Sequence, residues 1–557
     1  MAAVTVFHGP NVKVYSRSLR AEISLSLGIN QVVKSKPYCK FPSDKLKQHE
    51  SRGLSLRPLV PMASSSVGHG QETPRVVKTF PPNLWADLSF SFDKQVHERY
   101  REAVQTLKEE VRSMITAKDS TPNDKMILID TLERLGVAYH FEQEIEDQIE
   151  QIFKFHAEDE NGEHDLFTTA LYFRVFNKFM DEDNKFKKTL ISDINGLLSL
   201  YEASYLSRFI GPLKNLKLVT TSMYEKKESK NELLLKLAKL DFNFLQNLYK
   251  EEISHLFKWR KETNIISKLP YMRDRVMECY FWMVGIHFEP EYSFSRTAAT
   301  KALVRGVVLN DTYGNYATLE ELKLFTESLQ RWDIKEIDRL PDYMKFAYHF
   351  LYSIREECDH EVPKHGKTYG VSYVIEALKI LATAYYKKAK WYMGQEMPTF
   401  EDHVSNGHRA SGAAVVFAGM FMGMESASKE AFDWLMSEPK IVEAAGLLTR
   451  HMNDISTYDR EHEEGVFPTP VDCYMIENGV SKQEALDKIF EHAEDQWKTI
   501  NKEWIASTVP RHWMKPILNY ARIQDATYKG GKDLITDPMD GSGQDQIVAL
   551  FIDPIVI

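Results

Sequence analysis

Three oxygen-bearing side chains, Asn453, Thr457 and Glu461, recur at intervals of four in the stretch RHMNDISTYDREHEEG. On a helix that spacing lines them up along one face. An amide oxygen, a hydroxyl and a carboxylate are hard donors of the kind magnesium accepts, with water and phosphate oxygens completing its octahedron. An exposed polar helix would carry the same triplet, so the stripe alone leaves both readings open. A second set stands in LPYMRDRVMECYFWMVG, where Arg273 and Arg275 flank Asp274 ahead of an aromatic-rich segment. Two guanidiniums can hold a diphosphate through paired hydrogen bonds. Trp282, on the helix they introduce, would offer an indole face to a nearby cation. A surface ion pair beside a core tryptophan fits the same residues. A third stretch, LNDTYGNYAT, puts Asn310 and Gly314 one helical turn apart with Asp311 beside them. If that face is a divalent-metal site, one ligand is a neutral amide and the other is absent.

The elements that would position these residues are helical almost everywhere from about residue 86 onward. KMILIDTLERLGVAYHFEQEIEDQIEQIF places apolar residues at three- and four-residue spacing opposite a charged face. ELLLKLAKLDFNFLQNLYKEEI and ALDKIFEHAEDQWKTINKEWI repeat the texture. Alternating strand patterns are scarce, and no glycine-rich phosphate loop follows a strand. An all-α protein is expected. The polar, lysine-rich stretch 210–232 suits a linker between two helical domains.

Composition narrows the class further. With 43% hydrophobic and 27% charged residues and no apolar run of membrane-spanning length, no membrane span is expected. Four scattered cysteines without a CxxC pair argue against a zinc ribbon or a disulfide framework. Residues 1–70 hold ten Lys or Arg against three acids, a balance of +7, so the net charge of −10 leaves about −17 on the remainder. That acidic body argues against nucleic acid as a partner. The arm itself is basic, serine-rich and acid-poor, the composition of an organelle transit peptide, with a disordered tail as the alternative. A plastid is the expected destination; mitochondrial import or a cytoplasmic protein are the alternatives.

Taken together, these stretches resemble the plant class I terpene synthases. RVVKTFPPNLW (75–85) is similar to that family's amino-terminal arginine-to-tryptophan segment, with Val76 where Arg or Pro is usual. LGVAYHFEQEI, LSLYEASYLS, KLAKLDFNFLQ, RDRVMECYFW, LQRWDIKEIDRLPDYMK, VDCYMIENGVSKQEA and the terminal ALFIDPIVI are family-like phrases, and the likeness runs from 75 to 557. It leans to the angiosperm group of sesquiterpene and casbene-like diterpene synthases. The resemblance implies two helical domains after the arm of 1–70: an amino-terminal relic α-barrel over 71–228 and a carboxyl-terminal class I α-bundle over 229–557. It implies magnesium, up to three ions, with manganese as a substitute, held between an aspartate-rich segment and the Asn453, Thr457, Glu461 stripe. Asn310 and Asp311 are the metal candidates on the aspartate-rich side. Arg273, Arg275 and Arg450 match diphosphate contacts. Trp282 matches an aromatic facing the carbocation, and Tyr528 and Asp533 match an active-site tyrosine and a nearby acid.

The chain departs from the family in three places. The aspartate-rich segment normally reads DDxxD, and its first and last acids are Asn310 and Gly314 here. The surviving Asp311 occupies the place that more often partners an arginine than a metal. Glu320 would lie about 9 Å further along a continuing helix. Glu463 and Glu464 stand where basic residues are usual, and between YLS (205–207) and KNELLLK (230–236) the chain is shorter than the family by on the order of thirty residues. A shorter gap follows YFRVF (172–176). The implied activity is ionisation and cyclisation of a prenyl diphosphate, with geranylgeranyl diphosphate favoured by a plastid address, farnesyl diphosphate next, and a C25 substrate in reserve. The rival is an impaired or inactive relic that binds a prenyl diphosphate or a partner. The product skeleton and the oligomeric state are not legible in the sequence. No DxDD-like acid cluster supports a proton-initiated cyclase.

Overall fold

The computed structural model describes residues 80–158 and 221–557, apart from 87, 89, 91, 222–223, 227–229, 362–366, 395, 529–532, 534–535 and 537–540. The 1–70 arm, the LSLYEASYLS phrase, YFRVF and most of the shortened 210–232 stretch lie outside them. Every element among the described residues is helical, as the periodicity predicts. None of these helices is long and apolar enough to cross a membrane.

Helices α1 (Lys94–Ile115), α2 (Pro122–Leu135) and α3 (Glu142–Glu158) each turn one apolar stripe inward. Val104, Leu107 and Val111 meet Met126, Ile129 and Ile145 around Phe141. Thr121 and Asp124 close the start of α2 with a reciprocal capping box, satisfying two otherwise orphaned donors. Helix α4 (Glu232–Thr263) then serves two cores. Its first turns give Leu234, Leu237 and Leu240 to the small cluster, and Leu245, Tyr249 and Ile253 onward belong to a larger one.

The larger core is framed by α5 (Val276–Ile286), α6 (Ser293–Asn315), α7 (Leu319–Arg331), α8 (Gly370–Tyr392), α9 (Phe400–Ala410), α10 (Ala413–Gly423), α11 (Lys440–Glu463), α12 (Lys482–Ala506) and α13 (Arg511–Thr527). VMECYFWMVGI and AAVVFAGMFMG have no polar face, and α5 and α10 are accordingly the helices surrounded by others. α6 packs along α10 and α8, while α11 lies against α9, α12 and α13. Arg296 of α6 forks onto Glu252 of α4 at 2.6 and 2.9 Å, and the Tyr280 hydroxyl of α5 donates to the same carboxylate at 2.7 Å. That buried, hydrogen-bonded pair locks the three helices in register.

Small residues let α6 and α10 approach closely. A Cβ added at Gly419 would fall 2.7 Å from the Ala299 backbone, and one at Gly423 would fall 2.3 Å from the Ser295 amide nitrogen. Gly423→Ala is therefore expected to force the two helices apart and cost about 3 kcal/mol. The midpoint of chemical denaturation measures it, and a shift worth less than about 0.5 kcal/mol would mean the pair separates freely. The chain end is tied back as well. Asn243 of α4 exchanges hydrogen bonds with the Ile555 backbone at 2.8 and 2.9 Å, and Gln246 donates to the Asp553 carbonyl at 2.9 Å.

Candidate active site

α6 ends at Asn315 with Asn310 and Asp311 on its last turns. Asp311 is fully buried. Its carboxylate accepts from the Arg273 backbone N–H at 2.7 Å and the Arg273 Nε at 2.8 Å, and from Asn315 Nδ2 at 3.2 Å. Arg273 also donates to the Asn310 amide oxygen at 2.7 Å and to Thr536 Oγ1 at 2.9 Å, with the Phe80 ring 5.4 Å beneath its guanidinium. Burial works against the Arg273 charge, and Asp311 more than restores it, so its pKa rises. The oxygens that α6 offers are thus directed at an arginine. Gly314 is exposed, with nothing within 4 Å of where a Cβ would stand. Glu320 is not on a continuing helix: it opens α7, behind the Thr318–Glu321 capping box, and is exposed.

Arg275 is buried and donates to the Asp274 and Pro81 carbonyls at 2.9 Å each, with the Thr536 carbonyl at 3.5 Å. It joins the amino-terminal segment to the loop near the chain end. Asp274 accepts from Asn83 Nδ2 at 2.8 Å and from the Arg260 fork, and the Trp85 indole donates to Glu278 at 3.0 Å. The PPNLW stretch is thereby docked over the start of α5.

On α11 the stripe forms as its spacing predicts. Thr457 is buried, and Asn453 and Glu461 are partly buried. Thr457 Oγ1 donates to the Asn453 carbonyl at 2.9 Å, which leaves its oxygen lone pairs available. Asn453 stands beside the Tyr528 hydroxyl. The Glu461 carboxylate has no hydrogen-bond or ion-pair partner among the described residues, and burial holds its pKa above the usual range. An amide, a hydroxyl and an unpaired carboxylate on one face suit one divalent cation. The Asn310 oxygen and both Asp311 oxygens accept from Arg273, so the metal candidates of α6 are engaged by that arginine. Among the described residues no three His, Cys, Asp or Glu side chains form a metal cluster.

Arg450, one turn before Asn453, pairs with Asp454. Burial opposes its charge, and Asp454, Tyr392 and Glu461 offset that. Tyr385 of α8 is the common neighbour of both sides: it lies near Asn310 and feels Arg450, Arg273 and Asp311. Trp282 is buried and meets Tyr520 edge-on at 5.8 Å, and Phe417 also meets Tyr520 edge-on at 5.0 Å. Tyr520 in turn stands near Tyr385 and Arg450. Tyr528 is buried and near Asp533 and Arg450. Asp533 accepts from the Thr536 N–H at 3.3 Å and faces Arg460 at 3.8 Å. The candidates therefore converge around Tyr385 and Arg450, with Arg275 alone directed to backbone carbonyls. Glu463 and Glu464 are exposed, and Glu464 is paired with Arg460 at 3.4 Å, so solvent and a counter-charge screen both. Tyr385 and Tyr520 carry no motif; aromatics at helical spacing read as core, and only convergence in space singles them out.

The chain matches the family profile of the terpene synthase N-terminal domain over residues 84–210, and that of the terpene synthase family metal binding domain over 261–499. It is 40% identical to tau-cadinol synthase of Lavandula angustifolia, the match taking in 89% of this chain and 100% of that protein. A valerianol synthase of Camellia sinensis is 39% identical with the same coverage. Among solved structures, isoprene synthase of grey poplar (Populus x canescens) superposes with a TM-score of 0.72 at 26% identity, over 86% of this chain and 99% of that one. The same enzyme in complex with three Mg2+ ions and dimethylallyl-S-thiolodiphosphate gives 0.71 at 25% identity, over 83% and 99%.

Proposed function

Because this chain belongs to the plant terpene synthase family, we propose that it ionises farnesyl diphosphate and closes the resulting allylic cation to a C15 product. The C15 preference follows the similar sesquiterpene synthases, which match the chain along their whole length. It replaces the C20 substrate that a plastid address alone would favour. The observation that carries the reading is the single face of α11 on which Arg450, Asn453, Thr457 and Glu461 stand, next to the aromatic wall of Trp282, Tyr385 and Tyr520.

In this reading Arg450 donates hydrogen bonds to the diphosphate, and its pairing with Asp454 fixes the direction of the guanidinium. A divalent cation on Asn453, Thr457 and Glu461 would neutralise charge growing on the leaving group as the carbon–oxygen bond breaks. Tyr528 stands beside Asn453 and packs against the metal-facing side of α11. Arg273, already braced by Asp311 and Asn310, presents its charge toward the same space and joins it to Thr536. Trp282 and the tyrosines exclude water and turn their π faces to the cation until a proton is lost. The α11 donors would hold one such cation, and slow turnover is expected if α6 adds no further carboxylate ligand.

Incubation of residues 71–557 with farnesyl, geranylgeranyl or a C25 prenyl diphosphate and magnesium tests the proposal. A volatile C15 product above a no-enzyme control is expected, and a C20 product alone would overturn the substrate assignment. Diphosphate binding without any product would leave the relic. The plastid address proposed for residues 1–70 is read from a fluorescent fusion, which a purely cytosolic signal would refute.

A further inference from the structure

Helix α8 passes between the two sides of the site and presents Tyr385, Lys388 and Tyr392 at intervals of three and four, on one face. Tyr385 reaches Asn310 and Arg450, and Tyr392 lies among Glu461, Arg450 and Asp454. Lys388 is between them, with Arg450, Asp454 and Glu461 as its charged neighbours. The ammonium lies 5.3 Å from the centre of the Tyr392 ring. Among the described residues it has no hydrogen-bond or ion-pair partner: Asp454 is already paired with Arg450, and Glu461 stands beyond ion-pair distance. Burial pushes the Lys388 pKa down to about 8, with Arg450 acting in the same direction and the two acids against it. The ammonium thus stands inside the site without an acid of its own, a position that an arriving anion would complete.

We propose that Lys388 is a fixed cation of the diphosphate site, donating to a diphosphate oxygen beside Arg450 and supplying positive charge where α6 lacks metal-binding carboxylates. The proposal rests on the prenyl diphosphate reading above. On α6, Asn310 is an amide bound to Arg273 and Gly314 has no side chain, so the leaving group meets fewer metal ions. An ammonium on the facing helix stabilises the same developing charge without needing an acidic ligand of its own. As the carbon–oxygen bond breaks, its electron pair goes to the diphosphate, and Lys388 keeps its proton while holding that oxygen.

Titration calorimetry of inorganic diphosphate into the full chain, with and without magnesium, separates the possibilities. Lys388→Gln is expected to weaken binding on the order of tenfold, the worth of one charge-assisted hydrogen bond, and to raise the magnesium concentration needed for half-saturation. Lys388→Arg should stay within about threefold of wild type, because the charge is kept. Lys388→Met retains the apolar stem and is read instead if the Gln variant fails to fold. Unchanged affinity in a folded Gln or Met variant overturns the inference. Tighter binding or faster turnover would also overturn it, by showing that the ammonium competes with the metal. If wild type itself binds no diphosphate with magnesium present, the functional reading falls first and this one with it.

Discussion

Glu461→Gln is expected to lower kcat on farnesyl diphosphate by about a thousandfold at saturating magnesium. Asn453 and Thr457 are neutral, so Glu461 is the carboxylate that gives this stripe its charge. No second set replaces it, since Asp311 and Asn310 are bonded to Arg273. Losing a metal clamp removes several kcal/mol of transition-state stabilisation, and each tenfold in rate is about 1.4 kcal/mol. The fold should not suffer. Burial already raises the Glu461 pKa, and a neutral amide of the same shape avoids that desolvation cost. An unchanged or slightly higher melting midpoint together with lost turnover is therefore the expected pair of results. A variant that keeps more than about a tenth of the wild-type rate would mean ionisation does not depend on this stripe.

The converse change should raise activity. Asn310→Asp combined with Gly314→Asp is expected to speed turnover on the order of thirtyfold, by restoring carboxylates to one face of α6. Space permits it: a Cβ at residue 314 meets nothing within 4 Å, and the position is exposed. At 310 the new carboxylate oxygen inherits the Arg273 bond of 2.7 Å and keeps a second oxygen for a metal. The helix itself gains little, because aspartate is only about 0.3 kcal/mol better than glycine in a helix and sits here on the last turn. Steady-state rates against magnesium concentration would show a lower half-saturation as well as a higher maximum. No gain in either would put the defect outside α6, in the stretch where the chain is shorter than its family.

How much of this was readable beforehand follows from where each residue lies along the chain. The α11 stripe is contiguous, so its spacing alone specifies a shared face, and the structure forms that face. Asp311 as the partner of an arginine was likewise legible from its place in the altered segment, and Arg273 is that arginine. Arg275 was not. Its hydrogen bonds go to Pro81 and Thr536, residues 194 and 261 positions away, and no local pattern encodes which carbonyls will arrive there. Periodicity carries α6 on through Glu320, because it does not show that Thr318 and Glu321 cap a new helix. Tyr385, Lys388 and Tyr520 sit in stretches whose spacing describes a core, and their significance depends on three helices meeting. The two-domain division follows the change of texture around 228, whereas packing runs both cores through one helix.

That shared helix has a consequence for how the protein comes apart. Since α4 contributes Leu234 to Leu240 on one side and Leu245 to Trp259 on the other, neither half can melt while its neighbour stays whole. Heating should produce a single calorimetric peak, with enthalpy matching a concerted event. A cut just ahead of Leu245 would strip away the turns that anchor Asn243 to the chain's last residues and expose a greasy seam. A change that weakens the amino-terminal core is therefore expected to shorten the lifetime of the larger one too, because both hang on one rod of backbone.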